Sequence, residues 1–260
     1  MTTATMTDIG PESSAVFKAR AAGFFWLMCI LTGMFGFIAG SSFIVAGDAG
    51  ATAANIISHQ SIYRWAVVSS VIATASYLVV TVLVYELLKA VNRTIATLGI
   101  LFSLVGCAAG TIGCLLLFPP LNLLGGGPYL TAFSTQQLQA EALSFLTLSL
   151  QVNDIGMAFF GLHLLTIGYL IRRSTFLPRF LGALLLIAGV CYITNSFANF
   201  LALPFKAYLL PFVALAGLGA EGSLTGWFLV KGLNPQRWKE QASAAGECQP
   251  CDLQLEPDAS

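Results

Sequence analysis

Apolar residues along this chain neither alternate nor recur as a narrow stripe; they run on, in six uninterrupted stretches. These are Ala21–Ala46, Trp65–Leu88, Ile95–Phe118, Leu143–Ile171, Phe180–Leu203 and Tyr208–Val230. A helix rising about 1.5 Å per residue needs roughly 20 apolar residues to cross some 30 Å of hydrocarbon, and each stretch meets that length. Because lipid offers no partner to backbone N–H and C=O groups, all six are predicted to be helices, their Gly and Pro residues included. The predicted fold class is all-α, a polytopic membrane bundle of six transmembrane helices. Around it the polar pattern divides the chain into a Thr/Ser-rich mobile segment at 1–17, the transmembrane domain at 18–239 and a disordered polar tail at 240–260.

Two connecting segments carry some pattern of their own. Asp48 is placed to cap a short helix whose Ile56 and Ile57, with Ile62 beyond them, would lie along the interface. The loop Pro119–Glu141 holds Pro119-Pro120 and Gly125-Gly126-Gly127-Pro128, and Thr135–Glu141 reads as a second short helix.

Composition sharpens the class. The chain is 57% hydrophobic and 9% charged, where a soluble domain is about a quarter charged, so a water-soluble fold is excluded. Net charge is zero, which gives no basic surface for nucleic acid and leaves the lipid bilayer as the first partner. Location says more than total. Ten of the twelve Lys and Arg residues, Lys18, Arg20, Lys89, Arg93, Arg172, Arg173, Arg179, Lys231, Arg237 and Lys239, fall on one side; only Arg64 and Lys206 fall on the other. The positive-inside rule then puts both termini in the cytoplasm. The first apolar run is far longer than a signal-peptide core, so it reads as an uncleaved anchor.

Small residues four apart, at Gly36/Gly40, Gly106/Gly110 and Gly222/Gly226, suit close helix packing. Polar groups inside the spans are the sharper signal, because an ionisable side chain in hydrocarbon is costly unless it faces the bundle interior, a partner or water. At 100° per residue, Thr147, Gln151, Asp154, Ala158, Gly161 and Gly168 share a stripe on the fourth span. Ala188, Tyr192, Asn195, Asn199 and Ala202 share one on the fifth, and Ala214, Gly217, Glu221 and Thr225 one on the sixth. Depth sorts these into an outer cluster of Asp154 with Gln151, Asn195 and Asn199, and an inner one of Glu221 with His163, with Glu86 lower down and reaching towards Lys89 and Arg93. A carboxyl buried without a cation favours its protonated form, which suits a proton carrier, a general acid or a hydrogen-bond donor. Asp154 and Glu221 are thus the candidate catalytic groups, and Gln151, His163, Tyr192, Asn195 and Asn199 the candidate ligand-binding ones.

Several chemistries lack their residues. Haem held by two imidazoles needs a second His at membrane depth, but the other one, His59, is in an outer loop. No zinc motif, Walker loop, nucleophile elbow or dinucleotide fingerprint is present, so no metal or cofactor is expected. Cys29, Cys107, Cys114 and Cys191 read as small apolar residues, and Cys248-Gln-Pro-Cys251 as a thiol pair in the inner tail.

The stretches Gly47–Ile57, Tyr85–Arg93, Phe159–Leu170, Ser174–Gly182 and Glu221–Gly232 resemble the DUF4386 family of bacterial integral-membrane proteins, a domain of unknown function. The resemblance runs from Lys18 to Lys231 and leaves the Cys248/Cys251 tail outside it. It implies a six-helix protein of the bacterial plasma (inner) membrane and brings no substrate or catalytic roles. Three function classes follow from the residues. The first is a membrane-embedded pocket that binds or processes a small lipophilic molecule with its buried carboxylates, lined from 19 Phe; as an enzyme it would suit acid-triggered cyclisation or isomerisation of an isoprenoid. The second is a proton-coupled small-solute transporter with the two clusters as successive stations. The third is a structural or regulatory membrane subunit. The sequence does not choose an oligomeric state.

Overall fold

With hydrocarbon outside and no water to satisfy the backbone, a chain of this pattern has only its own i→i+4 bonds to close, and it closes them. The computed structural model describes residues 11–246, and every regular element within them is helical. The long helices are α1 (Pro11–Ser42), α3 (Gln60–Leu88), α4 (Arg93–Leu115), α6 (Thr135–Arg173), α7 (Arg179–Phe200) and α8 (Lys206–Val230). Six spans are long and apolar enough to cross a bilayer. Shorter pieces are α2 (Ala49–Ser58), α5 (Phe118–Leu124), a 3-10 turn at Pro128–Ala132 and α9 (Pro235–Ala244).

The spans close into a ring in chain order: α1 packs on α3, α3 on α4, α4 on α6, α6 on α7, α7 on α8, and α8 back on α1. Its centre is filled by Trp26, Val80, Val84, Leu164, Leu185, Leu224 and Phe228, all nearly inaccessible. A second small core of Phe43, Ile56, Tyr63, Val67, Leu121 and Leu146 lies at the end where α2 and α5 sit. Asp48 caps α2 as its sequence suggests, its carboxylate accepting from the Ala51 amide at 2.8 Å. Ile56 turns into this core, while Ile57 and Ile62 stay exposed.

Three boundaries differ from the sequence reading. Thr135–Glu141 is the first part of α6, not a separate helix: Ser134 and Gln137 form a reciprocal capping box that starts a 39-residue helix. That helix is about 58 Å long, about twice a hydrocarbon core. Helix α1 begins at Pro11, inside the stretch 1–17, and α9 reaches Ala244, inside the tail 240–260. Cys248 and Cys251 lie outside the described residues.

Glycines set the closest approaches. An added Cβ on Gly161 would lie 2.8 Å from the Gly189 carbonyl oxygen, and one on Gly189 would lie 2.7 Å from that of Gly161. Gly168 and Gly182 face each other in the same way. On the other side of α6, Gly99, Gly106 and Gly113 of α4 receive Thr166, Phe160 and Asn153. Each set repeats every seven residues, the spacing that keeps one seam facing its neighbour along a left-handed crossing. The fourfold spacings behave differently: Gly36 packs on Ser70 and Gly106 on Phe160, but Gly40, Gly222 and Gly226 have nothing within 4 Å.

Candidate functional site

Glu221 lies on α8 about nine residues from its basic end, and two neighbouring spans reach for it. The Trp26 indole N–H donates to Oε2 at 2.8 Å and the Tyr192 hydroxyl donates to Oε1 at 2.7 Å. Side chains tilt towards a helix N-terminus, so Tyr192 leans back along α7 and lays its ring across α8 one turn before the carboxylate. Gly217 makes that crossing feasible, because a Cβ there would collide with the Tyr192 hydroxyl. Both donors are neutral, and among the described residues no cationic side chain pairs with Glu221.

Aromatic rings surround the triad. Tyr77 sits edge-on to Trp26, with ring centres 6.0 Å apart, and also edge-on to Phe160 and His163. One turn along α8 the Thr225 hydroxyl is buried without a hydrogen-bond partner. Glu221 itself is only half-buried. Gly222, the next residue along α8, looks onto open space, as do Gly219 and Gly226 further round the helix.

His163 does not join this group, despite its matched depth. Its Nδ1 lies 2.7 Å from the Gly99 carbonyl oxygen; a carbonyl only accepts, so Nδ1 carries the hydrogen and Nε2 of the neutral ring is left as an acceptor. That Nε2 is buried without a partner, beside a cavity of about 10 Å³ lined by Thr81, Gly99, His163 and Thr166 among others, a volume that suits one water.

The outer residues divide. The Asn199 amide donates to Asp154 Oδ1 at 3.1 Å, across the α6–α7 contact. Asp154, Gly161 and Gly168 follow the same seven-residue step, so this bond continues the glycine seam. Asn195 is buried nearby on α7, whereas Gln151 is exposed. At the basic end Glu86 bridges Lys18 at 3.2 Å and Lys89 at 3.3 Å. Among the described residues no group of three or more His, Cys, Asp or Glu is arranged to hold a metal.

Trp26 was invisible to helix-by-helix reasoning, since an indole in the first span reads as lining. The available signal was its depth: eight residues above Lys18, it lies level with Glu221, for which the sequence offers no cation at that depth.

The family described as a domain of unknown function, DUF4386, matches residues 21–232. The chain belongs to the DUF4386 family. All six spans fall within or across that match, and Trp26, Tyr192 and Glu221 lie inside it. An uncharacterized protein of Archaeoglobus fulgidus is 30% identical over 121 residues, 46% of this chain. The chain spans about 59% of that relative's length. This relative is archaeal, so similarity to the DUF4386 chain is not confined to bacteria. No solved structure matches it.

Proposed function

We propose that this protein binds a small lipophilic molecule inside the membrane, with Glu221 receiving its polar head. The observation that carries the reading is a half-buried carboxylate at membrane depth, held only by neutral donors, with Gly222 beside it open. An amine or alcohol dissolved in the bilayer can approach past Gly222, displace the Tyr192 hydroxyl from Oε1 and present its own donor. The unpartnered Thr225 hydroxyl supplies a second polar contact, and Trp26 and Tyr77 supply an aromatic wall. His163 faces the same centre from α6, with Tyr77 between it and Trp26. Asp154 with Asn199 serves the seam and stands apart from this pocket, as do Asn195 and Gln151.

The ten-to-two distribution of Lys and Arg supports a plasma-membrane protein with both termini in the cytoplasm. A purely structural role for the triad is the second reading, favoured because Trp26 and Tyr192 already satisfy both carboxylate oxygens.

Mass spectrometry of small molecules co-purified with wild type, Glu221→Gln and Asp154→Asn separates the two readings. Glutamine keeps an acceptor for Trp26 and can donate its amide hydrogen to the Tyr192 oxygen, so the fold survives while the carboxyl group is gone. A compound present in wild type and Asp154→Asn but absent from Glu221→Gln is the expected result. Empty preparations of all three, or equal occupancy in all three, overturn the ligand reading.

A further inference from the structure

The basic end of the ring carries a second cavity, far from Glu221 and independent of the reading given to it. It measures about 380 Å³ and lies among the linker that joins α6 to α7, the end of α8 and the start of α9. Its walls are built, not incidental. Gly232, in the left-handed region at φ +66°, ends α8 and turns the chain. The Asn234 amide then donates to the Phe176 carbonyl at 3.3 Å, and the Asn234 side chain caps α9 by accepting from the Arg237 amide at 3.1 Å. From the linker side, the Thr175 amide and hydroxyl both donate to Gln241 Oε1 at 3.0 Å. Trp238 pins the same helix to α3 through the Leu87 carbonyl at 3.0 Å.

What lines the cavity is two-sided. Phe176, Leu177, Leu233 and Trp227 give apolar walls; Lys231 and Arg237 give two cations, and among the described residues no acidic side chain lines it. Among the described residues Lys231 makes no ion pair, and Arg237 spends one N–H on the Thr175 carbonyl at 3.4 Å, leaving most of its donor fork available. The level is also informative. Trp227 stacks edge-on with Phe180, which is 53% exposed, and Val230, 72% exposed, is the last residue of α8. The cavity therefore sits where the apolar outer surface of the ring gives way to its cations, the depth of lipid headgroups.

We propose that this cavity binds a glycerophospholipid of net negative charge, its phosphate between Lys231 and Arg237 and its acyl chains along Trp227 and Phe180. A zwitterionic lipid fits less well, because its own ammonium competes for the phosphate and brings a positive charge towards two others.

The test uses the full chain, stripped of lipid in detergent, and native mass spectrometry with phosphatidylglycerol against phosphatidylcholine of the same acyl chains. Wild type is expected to bind one phosphatidylglycerol. Lys231→Ala/Arg237→Ala is expected to weaken it about 30-fold, the effect of two basic side chains at headgroup level. Arg20→Ala/Arg173→Ala removes as much charge from the same end outside the cavity and is expected to bind as wild type does. Should the double variant loosen α9, Lys231→Ala alone, which leaves every α9 bond in place, still gives about a fivefold loss. Equal binding of phosphatidylcholine, equal loss in both double variants, or full displacement by millimolar inorganic phosphate overturns the proposal; the last would make it a site for a free anion.

Discussion

Glycine does opposite things on opposite sides of this ring. Along α4–α6–α7 it lets backbones touch: Gly161 against Gly189, Gly168 against Gly182, and Gly99, Gly106 and Gly113 beneath side chains of α6. On α8, Gly219, Gly222 and Gly226 touch nothing within 4 Å. One side is locked by close packing, where van der Waals contact replaces the hydrophobic drive that lipid removes. The other is left bare next to the half-buried carboxylate. A membrane protein that must hold shape and still admit a molecule from the bilayer needs both kinds of surface, and here the division runs between the α4–α6–α7 seams and one face of α8.

The largest expected effect comes from filling the locked side. Gly189→Val drives a branched side chain into the Gly161 carbonyl and the Leu165 side chain, and should cost about 3 kcal/mol, the upper part of the overpacking range. Gly222→Val and Gly226→Val meet open space and should change stability by under about 0.5 kcal/mol. Thermal unfolding in one detergent compares all three. Equal losses would erase the distinction between the two sides.

Next comes the crossing of Tyr192 over α8. Gly217→Ala places a methyl group where the hydroxyl lies, pushing it off Glu221 and costing about 1.5 kcal/mol, the upper part of the range for one hydrogen bond. Tyr192→Phe removes the same bond without the collision, so the two variants should lose similar stability and combine to little more than either alone. Full additivity in the double variant would mean that Gly217 matters for something other than this bond.

A smaller effect sits at α9. Trp238→Phe keeps the ring and removes the indole N–H that reaches the Leu87 carbonyl, a loss of about 1 kcal/mol. Hydrogen exchange should rise across 235–244 and stay unchanged in α6 and α7. Unchanged protection of α9 would show that the N–H does not hold it.

The membrane class and the six spans could be read from the chain because hydrocarbon enforces them residue by residue. The partners of Glu221 could not. They come from α1 and α7, and nothing in the spacing along one helix says which span will close the ring beside which. Four-residue glycine spacing held in part, at Gly36, Gly106 and Gly110, and failed at Gly40, Gly222 and Gly226: such pairs are frequent in any such sequence, whereas the seven-residue steps 161/168, 182/189 and 99/106/113 mark the seams that form. Helix α9 had a signal in Asn234-Pro235, a cap followed by proline, and in Trp238 and Ala242 one turn apart, both buried. Its polar composition hid it against the acidic tail.

The finest cut lies between the two membrane carboxylates. Asp154 accepts from Asn199 at the outer end of the α6–α7 seam, and an asparagine in its place keeps a carbonyl oxygen able to accept the same N–H. Asp154→Asn should therefore alter stability by about 0.5 kcal/mol or less, while Asp154→Ala, which leaves the Asn199 amide without that acceptor, should cost about 1–2 kcal/mol. The contrast with Glu221 lies in what the conservative change does. At both positions the amide preserves packing, but only at Glu221 is the lost carboxyl group expected to cost ligand. If Asp154→Asn stripped the co-purified compound from a folded protein, the seam would be part of the binding path, and the division of the ring into a locked side and an open side would fail at its outer end.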